Sequence, residues 1–398
     1  MRLRLDLPFG LGGPRPIMLA AGGTGGHMAP AAGLAAELLA RGEPVALVTD
    51  RRGLGFGDRY GAALGQVRSH RVAAGSPSGT VPQRLAGMLR LAAGFLGALW
   101  LMAWRRPRAV VGFGGYASVP PVMAALVWRV PVVLHEQNAV LGRANRLAAR
   151  RVARLALGFE RTSGLDGIPA DRIAVVGSPV RAAFAIARAV PYAPPAGDAP
   201  VRLLVMGGSQ GATVFSDVVP EAVARLPESV QRRLRIVQQC RVEDLDRVAD
   251  VYRRTVVHAE LAPFVADVPK RIADVHLVIS RSGASTVAEL LMAGRPSILV
   301  PYPFATDDHQ AANAAILSDA GAAWVMTAPG RPGSAPATFT ADGLSILLEG
   351  LIGEPEMLAS AATAAWQLGR PDAAQALADV VLAAIPDRST PEQAPGVA

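Results

Sequence analysis

His27 is the side chain best placed to do chemistry, because it closes a turn that contains four glycines. The turn reads Gly22-Gly23-Thr24-Gly25-Gly26-His27 and follows a short apolar run, Ile17–Ala21. Glycines lack a Cβ atom, so a ligand can approach their backbone, and the N-terminus of a following helix attracts anions. An imidazole can also take a proton from a hydroxyl near neutral pH. The turn predicts an anionic or sugar-phosphate ligand with a titratable group beside it.

Further polar segments follow apolar runs elsewhere in the chain. His135-Glu136-Gln137-Asn138 comes directly after Pro131–Leu134. Gly207–Ala212 and Arg281–Ser285 each follow an apolar run and precede a helix-forming segment. Ligands of open α/β sheets bind at the carboxyl ends of the strands, so all of these segments are candidate parts of a site.

The elements that must position these residues are alternating strands and helices in two sets. One set begins at Ile17, and the same order of strand, glycine turn and helix restarts at Val201–Met206. Between them, residues 182–200 are rich in proline and alanine and predict a linker. A chain of 398 residues also exceeds one typical core. We therefore expect two similarly built α/β domains, with a disordered tail over residues 387–398.

Composition and charge exclude some classes of protein. The net charge is +8, but the basic residues are scattered and are not interleaved with aromatic residues, so a nucleic-acid partner is not expected. Cys240 is the single cysteine, which excludes an internal disulfide and fits a reducing compartment. The N-terminal residues lack the apolar core of a secretion signal.

The glycine spacing fits neither of the common nucleotide motifs. A dinucleotide fold needs G-x-G-x-x-G, but from Gly23 the third glycine position is Met28, and the turn at Gly208 fails as well. The segment G-x-x-x-x-G-K-[ST] of the phosphate-binding loop is absent from the sequence. Asp50, at the end of the second predicted strand, leaves a dehydrogenase-like interpretation open, because an acid there can bind ribose.

The run Leu91–Trp104 carries no charge and is flanked by arginines at 84, 90, 105, 106 and 108. It is shorter than the roughly 20 apolar residues that span a bilayer. Two interpretations remain: a buried helix of the domain, or a helix in a membrane surface, with Trp100 and Trp104 at the interface and arginines on anionic head groups.

Six motifs in one order resemble the bacterial MurG family, the transferases that add N-acetylglucosamine to lipid I. The likeness extends to about residue 385, through the segments Gly22–His27, His135–Asn138, Gly177–Arg181, Gly207–Ala212, Arg281–Glu289 and Asp308–Asn313. It implies a GT-B fold, in which two Rossmann-like domains face an interdomain cleft. The acceptor would bind residues 1–190 and the UDP-sugar residues 198–365, with a C-terminal helix at about 366–386 packing back on the first domain. The implied reaction is inverting and needs no metal or other cofactor.

The resemblance also implies roles for individual residues. His27 would be the base for the 4-hydroxyl of the acceptor, with Glu136 as the alternative base. Arg181 would add positive charge near the diphosphate, and Ser209 would hold the diphosphate unless it only caps a helix. Glu289 would bind the ribose hydroxyls, although Thr286–Glu289 also fits a capping box that would satisfy only its own helix. The other implied contacts with the substrates are Thr24, Gly25, Gly26, Asn138, Val265, Ala284, Ser285, Thr286, Val287, Ala288 and Gln310.

The partners that follow are UDP-N-acetylglucosamine, lipid I and the anionic lipids of the inner membrane, which the enzyme would reach as a peripheral protein from the cytoplasmic face. The alternatives within the fold are another UDP-sugar-dependent glycolipid transferase or an epimerase. A non-catalytic module that binds nucleotide sugars is the alternative from another class.

Overall fold

Two parallel β-sheets form the framework of the protein. The computed structural model describes residues 15–54, 62–76, 79–208, 211–330 and 336–386. The first sheet contains β1 to β7, in the spatial order β3-β2-β1-β4-β5-β6-β7, with bounds Ile17–Ala21, Val45–Thr49, Arg68–Arg71, Ala109–Gly112, Val132–Glu136, Arg154–Leu157 and Ile173–Val175. The second contains β8 to β13, in the order β10-β9-β8-β11-β12-β13, with bounds Val201–Met206, Leu234–Gln239, His258–Ala262, Leu277–Ser280, Ser297–Leu299 and Ala323–Val325.

Helices connect the strands and cover both sheets. Those that follow the strands of the first sheet, α1 to α7, are Gly25–Ala40, Arg51–Leu54, Ala62–Gln66, Val81–Arg105, Val119–Val127, Arg143–Arg146 and Phe184–Ala189. Those that follow in the chain, α8 to α16, are Thr213–Ala224, Glu228–Arg233, Leu245–Arg253, Val268–Asp274, Ala284–Ala293, His309–Asp319, Ala341–Gly353, Pro355–Leu368 and Ala373–Ala383. Parallel strands covered on both faces must be apolar throughout, as in β1, where every residue is buried.

Helix α1 begins earlier than its composition suggests. Strong helix formers start at Ala31, whereas the helix begins at Gly25, inside the glycine turn, and carries Pro30 in its second turn. Propensity is a weak determinant compared with packing, and nine residues of this helix are buried, among them Met28 and Leu34. The glycine turn is therefore the N-terminus of α1 itself.

The chain passes between the two sheets twice. Helix α7, within the proline-rich segment 182–200, packs against α11 and α12, so the first crossing lies before Phe184. Phe184 is fully buried among residues of the second sheet's helices. Helix α15 packs against α12, and α16 then packs against α1, where Leu377 and Val381 join the first domain's core.

Helix α4 divides into a buried face and an exposed face. Its buried residues include three small ones, Gly87, Gly94 and Ala98, and the helix packs against α5. Its exposed residues include Leu89, Leu96 and Trp100, which are 63%, 66% and 64% exposed. By length and composition the helix could cross a membrane, with a mean hydropathy of 1.7 over its most apolar window. This exposed apolar face excludes the interpretation of α4 as a wholly buried helix of the domain.

Candidate active site

The imidazole of His27 lies in the first turn of α1 and is fixed by Thr24. Thr24 occupies the N-cap position, and its Oγ1 is 2.8 Å from His27 Nδ1. When Nδ1 carries the proton and donates it to this hydroxyl, Nε2 holds a free lone pair. A helix-start residue with an oriented ring and a free nitrogen can act as a proton acceptor.

A second glycine turn, at the end of β4, packs against the ring of His27. Gly114 and Gly115 have positive φ values of 85° and 73°. A Cβ on Gly115 would lie 3.1 Å from His27 Cε1, and one on Gly114 would lie 3.3 Å from Cδ2. The first turn is tied to the second, because Gly22 N–H donates to Gly114 O at 3.0 Å. The glycine pattern at 112–115 was visible in the sequence, but its role as the cradle of His27 was not.

The surroundings of His27 hold its imidazole neutral. Burial, with contributions from His309 and Arg52 and against the opposing charge of Asp50, lowers the pKa of His27 to about 4. His309 belongs to α13, so a group of the second domain acts on the ring of the first. The unprotonated form that a base requires is therefore present over the whole physiological pH range.

Asp50 is occupied by its own turn. Its Oδ1 accepts the N–H groups of Arg52 and Gly53 at 3.0 Å, and its Oδ2 pairs with the Arg52 guanidinium at 2.9 Å. A Cβ on Gly23 would lie 2.2 Å from Asp50 Oδ1, so this glycine is required for close packing of the two turns. These contacts remove the basis for the dehydrogenase-like interpretation.

The polar residues at the end of β5 are buried and hold one another. His135 Nε2 donates to Gly177 O at 2.9 Å, and burial lowers the pKa of His135 to about 4. Glu136 is 2% exposed. Its Oε1 accepts the backbone N–H and the side-chain amide N–H of Asn138, at 3.1 and 3.0 Å. Its Oε2 accepts the backbone N–H of Gly142 and the side-chain amide N–H of Asn145, both at 2.9 Å. A carboxylate with four donors is a structural anchor, which disfavours Glu136 as the alternative base.

The N-terminal half of α12 lies opposite the His27 turn. Ser285 Oγ donates to Gly25 O at 3.4 Å across the cleft. A Cβ on Gly26 would meet no atom within 4 Å, so the turn is open at that point. Val287 is fully buried in the core and Ala284 is 7% exposed, so these two residues offer chiefly their backbone to a ligand. Ser285, Thr286 and Ala288 are partly exposed.

Glu289 and Arg181 pair with each other across the cleft. Arg181 Nη2 lies 3.1 Å from Glu289 Oε1, and the Glu289 side chain is 13% exposed. Burial raises the pKa of Glu289, and the charge and hydrogen bond of Arg181 oppose that shift. The helix begins at Ala284 with Gly283 as its N-cap, so the capping-box interpretation of Thr286–Glu289 is wrong. Glu289 satisfies no helix start and is available to a ligand.

Gln310 lies one residue inside α13, beneath the loop that follows β12. Its Oε1 accepts Tyr302 N–H at 2.9 Å, and its backbone oxygen accepts Ser282 Oγ at 2.8 Å. The carboxamide is therefore oriented, with its oxygen engaged by the protein, and its NH₂ group can donate to a ligand. Val265 is 5% exposed and follows Phe264, which is 72% exposed. Ser209 lies outside the described residues; the helix that follows it has Ala212 as its N-cap.

Asn313 bridges the two domains, and no role was predicted for it. Its Oδ1 accepts Ala139 N–H at 2.8 Å, and its Nδ2 donates to Asn138 Oδ1 and to Ser282 O, both at 3.1 Å. From the sequence, Asn313 was identified only as the last residue of the family segment Asp308–Asn313. Contacts between residues 175 positions apart leave no local signal.

A cavity of about 580 Å³ lies elsewhere between the domains, near the crossover from α15 to α16. Its walls include Val180, Leu291, Ile316 and Gly369, and the residues of the His27 turn are not among them. Ala288, a predicted substrate contact, also lines this cavity, but the His27 turn does not, and we assign the site to the polar groups described above.

Comparison with known proteins agrees with this arrangement. Residues 17–157 match the glycosyltransferase family 28 N-terminal domain, and residues 202–334 match the corresponding C-terminal domain. A protein of Paramagnetospirillum magneticum is 50% identical over 374 residues, which are 94% of this chain and 98% of that protein. It is called UDP-N-acetylglucosamine--N-acetylmuramyl-(pentapeptide) pyrophosphoryl-undecaprenol N-acetylglucosamine transferase, as is a Rhodospirillum centenum protein that is 50% identical over 95% of this chain and 97% of its own length.

This chain belongs to the MurG family. The crystal structure of Acinetobacter baumannii MurG superposes with a TM-score of 0.73 at 27% identity, and the match covers 93% of this chain and all of that one. The two parallel sheets are the Rossmann-like domains of a GT-B fold, which confirms the predicted fold class. The UDP-GlcNAc 2-epimerase of Neisseria meningitidis has a TM-score of 0.65 at 13% identity, a likeness of fold alone.

Proposed function

We propose that this protein transfers N-acetylglucosamine from UDP-N-acetylglucosamine to lipid I, forming lipid II for peptidoglycan synthesis. The observation that carries the proposal is the 50% identity, over 94% of this chain, to a relative named for this transfer. The site of this protein offers a proton acceptor on one domain and groups for a nucleotide sugar on the other. A binding module without turnover would not need the oriented imidazole of His27.

The reaction joins the 4-hydroxyl oxygen of the acceptor's N-acetylmuramyl residue to C1 of the donor sugar, and the bond from C1 to the β-phosphate oxygen breaks. His27 Nε2 takes the hydroxyl proton as the new bond forms, and UDP leaves with the bonding electrons. The support for this role is the contact of Nδ1 with Thr24, at 2.8 Å, which orients the ring and stabilises the imidazolium that forms. Attack on the face opposite UDP inverts the configuration at C1.

The donor groups lie on the second domain and at the edge of the first. The backbone N–H groups at the start of α12 would face the diphosphate, where they stabilise the charge that develops on UDP. We assign the ribose hydroxyls to the Glu289 carboxylate and the sugar hydroxyls to the Gln310 NH₂ group. Arg181 supplies positive charge to the diphosphate once the donor displaces it from Glu289. The support for this exchange is that the two side chains pair with each other at 3.1 Å.

The first experiment measures UDP release from UDP-N-acetylglucosamine, with and without a soluble lipid I analogue. We expect release that depends on the analogue. Release without any acceptor would instead indicate a hydrolase or an epimerase-like reaction, and donor binding without release would indicate a binding module.

The second experiment tests the base. We expect His27→Ala to lower turnover by about 100-fold or more, within the range for loss of a general base, while the affinity for UDP-N-acetylglucosamine changes little. His258→Ala, at an exposed histidine of β10, is the matched control and should retain turnover. Near-normal turnover of His27→Ala would remove the histidine from the mechanism.

We further propose that α4 lies in the surface of an anionic membrane, where the undecaprenyl chain of lipid I is anchored. Its exposed face carries Leu89, Leu96 and Trp100, and the rings of Trp100 and Trp104 stack with centroids 5.1 Å apart. Arg84 and Arg90 are exposed on the same helix. An apolar face with neighbouring arginines is typical of an interfacial helix. The proposal includes peripheral attachment at the cytoplasmic face of the inner membrane, and this arrangement supports the attachment.

Sedimentation with phosphatidylglycerol vesicles tests the membrane proposal. We expect Leu96→Glu combined with Trp100→Glu to release the protein from the vesicles and to leave turnover with a water-soluble acceptor unchanged. Ile346→Glu, at a 72% exposed position of α14, is the control for a charge on an exposed apolar residue. Equal sedimentation of wild-type protein and the double variant would contradict the proposal.

A further inference from the structure

Helix α13 and the turn before it contact the first domain at three points, six residues apart. Asp307 pairs with Arg143 at 2.7 Å, and Asp319 pairs with Arg161 at 2.6 Å. Midway between them, Asn313 holds Asn138 and Ala139, as described above. The helix that carries Gln310 therefore contacts the acceptor domain at its middle and near both of its ends.

The middle contact differs from the two ion pairs in its burial. The side chains of Arg161 and Asp319 are 70% and 50% exposed, and such pairs contribute little. Asn313 is 0% exposed and forms three hydrogen bonds, two of them to the first domain. A buried amide that loses its partners leaves polar groups unsatisfied, so this contact selects one docking geometry much more strongly.

The bonds of Asn313 lead directly to the residues assigned to the substrates. Asn138 accepts a hydrogen bond from Asn313 at its Oδ1, and its own Nδ2 donates to Glu136 Oε1 at 3.0 Å. The carbonyl oxygen of Ser282 also accepts a hydrogen bond from Asn313, and the hydroxyl of Ser282 donates to Gln310 O. One side chain thus connects the strand end of the acceptor domain with the sugar-reading residue of the donor domain.

We propose that Asn313 is a positioning residue that sets the distance between acceptor and donor by fixing Asn138 against α13. The inference rests on the proposed function, whose acceptor and donor it aligns. Asn313 acts through Asn138 and touches neither substrate. Transfer between two bound substrates requires their reacting atoms in contact with aligned orbitals, so a small change in docking lowers turnover more than it lowers binding of either substrate.

The kinetic test compares Asn313→Ala, Asn138→Ala and the double variant. We expect each single variant to lower kcat by roughly 10- to 100-fold and to change the donor KM less than threefold. The double variant should lose much less than the product of the two single losses, because the bond between Asn313 and Asn138 is absent from all three variants. Asn313→Asp should behave like Asn313→Ala, because a carboxylate would face Asn138 Oδ1 and Ser282 O.

Asp319→Asn is the matched control, because it removes an exposed interdomain ion pair from the same helix; its kcat should stay within about twofold of the wild type. Losses that multiply in the double variant, or a rise in donor KM with normal kcat, would overturn the proposal and indicate direct contact of Asn313 with the donor. Asn138→Ala tests the same bridge from the other domain if Asn313→Ala does not fold.

Small-angle X-ray scattering separates this inference from the proposed function, because it needs no turnover. We expect a larger radius of gyration for Asn313→Ala than for the wild type or Asp319→Asn. An unchanged radius together with unchanged kcat would overturn the positioning role. If the wild type releases no UDP with the lipid I analogue while the radius still grows in the variant, the proposed function fails and the interdomain bridge stands.

Discussion

The pKa of His27 leads to a specific prediction about the acid side of the pH profile. Burial, His309 and Arg52 together lower this pKa to about 4, from the ordinary value of 6.5 for a histidine. A base works in its neutral form, so kcat/KM falls as the pH falls through the pKa of that base. At pH 5, a histidine with a pKa of 6.5 is about 3% neutral, whereas one with a pKa of about 4 is about 90% neutral. We therefore expect kcat/KM at pH 5 to remain close to its value at pH 7.

The assay is UDP release at low donor concentration with a soluble acceptor analogue, from pH 4.5 to 8. Arg52→Gln removes one charge that lowers the pKa of His27, so the acid limb should move to higher pH. Arg172 lies just before β7, at the amino edge of the first sheet, whereas the His27 turn lies at the carboxyl edge. Arg172→Gln should therefore leave the pH profile unchanged. A wild-type acid limb centred near pH 6.5 would refute the reasoning, as would an Arg52→Gln profile identical to that of the wild type.

Three further outcomes follow from individual contacts. Glu289→Gln should raise the donor KM by about tenfold with a smaller effect on kcat, because an amide is a weaker acceptor for ribose hydroxyls than a carboxylate; steady-state kinetics with varied donor checks this. Gly33→Ala should lower the free energy of unfolding, measured in urea, by about 1–3 kcal/mol, because the new Cβ would lie 2.7 Å from Pro179 Cβ. Gly350→Ala is the control and should leave that free energy unchanged, because its new Cβ would meet no atom within 4 Å. His135 has a pKa of about 4 when folded, so its contribution to stability is full above the unfolded value of 6.5 and is lost as pH falls toward 4. At pH 5 that loss is about 2 kcal/mol for His135, and His135→Gln should flatten the pH dependence in urea titrations.

The strands and glycine turns were predictable because their signals are local. The apolar run Ile17–Ala21 is β1 with the same bounds, and the run before His135 forms most of β5. The glycine turn after the first run and the polar segment after the second marked the carboxyl edge of the first sheet, where parallel strands bring separate turns together. Family resemblance then supplied candidate roles for residues such as Glu289, which spacing alone assigned equally well to a capping box.

The parts of the site that were not predictable depend on contacts between distant segments. Glu136 remained a candidate base because its sequence neighbours do not reveal the donor supplied by Asn145. The ring of His27 packs against Gly114 and Gly115 about 90 positions away, and Asn313 meets Asn138 across 175 positions. Such contacts depend on how distant segments pack within the first domain or, for Asn313, on how the two domains dock, and no periodicity or turn signal encodes either.

The pair formed by Arg181 and Glu289 has a consequence for the reaction cycle. Each side chain serves as the counterion of the other. Under the proposed roles, an incoming donor exchanges this one ion pair for its own ribose and diphosphate contacts, so Arg181 and Glu289 each exchange one partner for another. When UDP departs, the original pair is restored and neither charge is left unpaired in a partly buried site. Under those roles the restored pair would take the place of the departed product's contacts, which would favour the release of UDP and ready the cleft for the next donor.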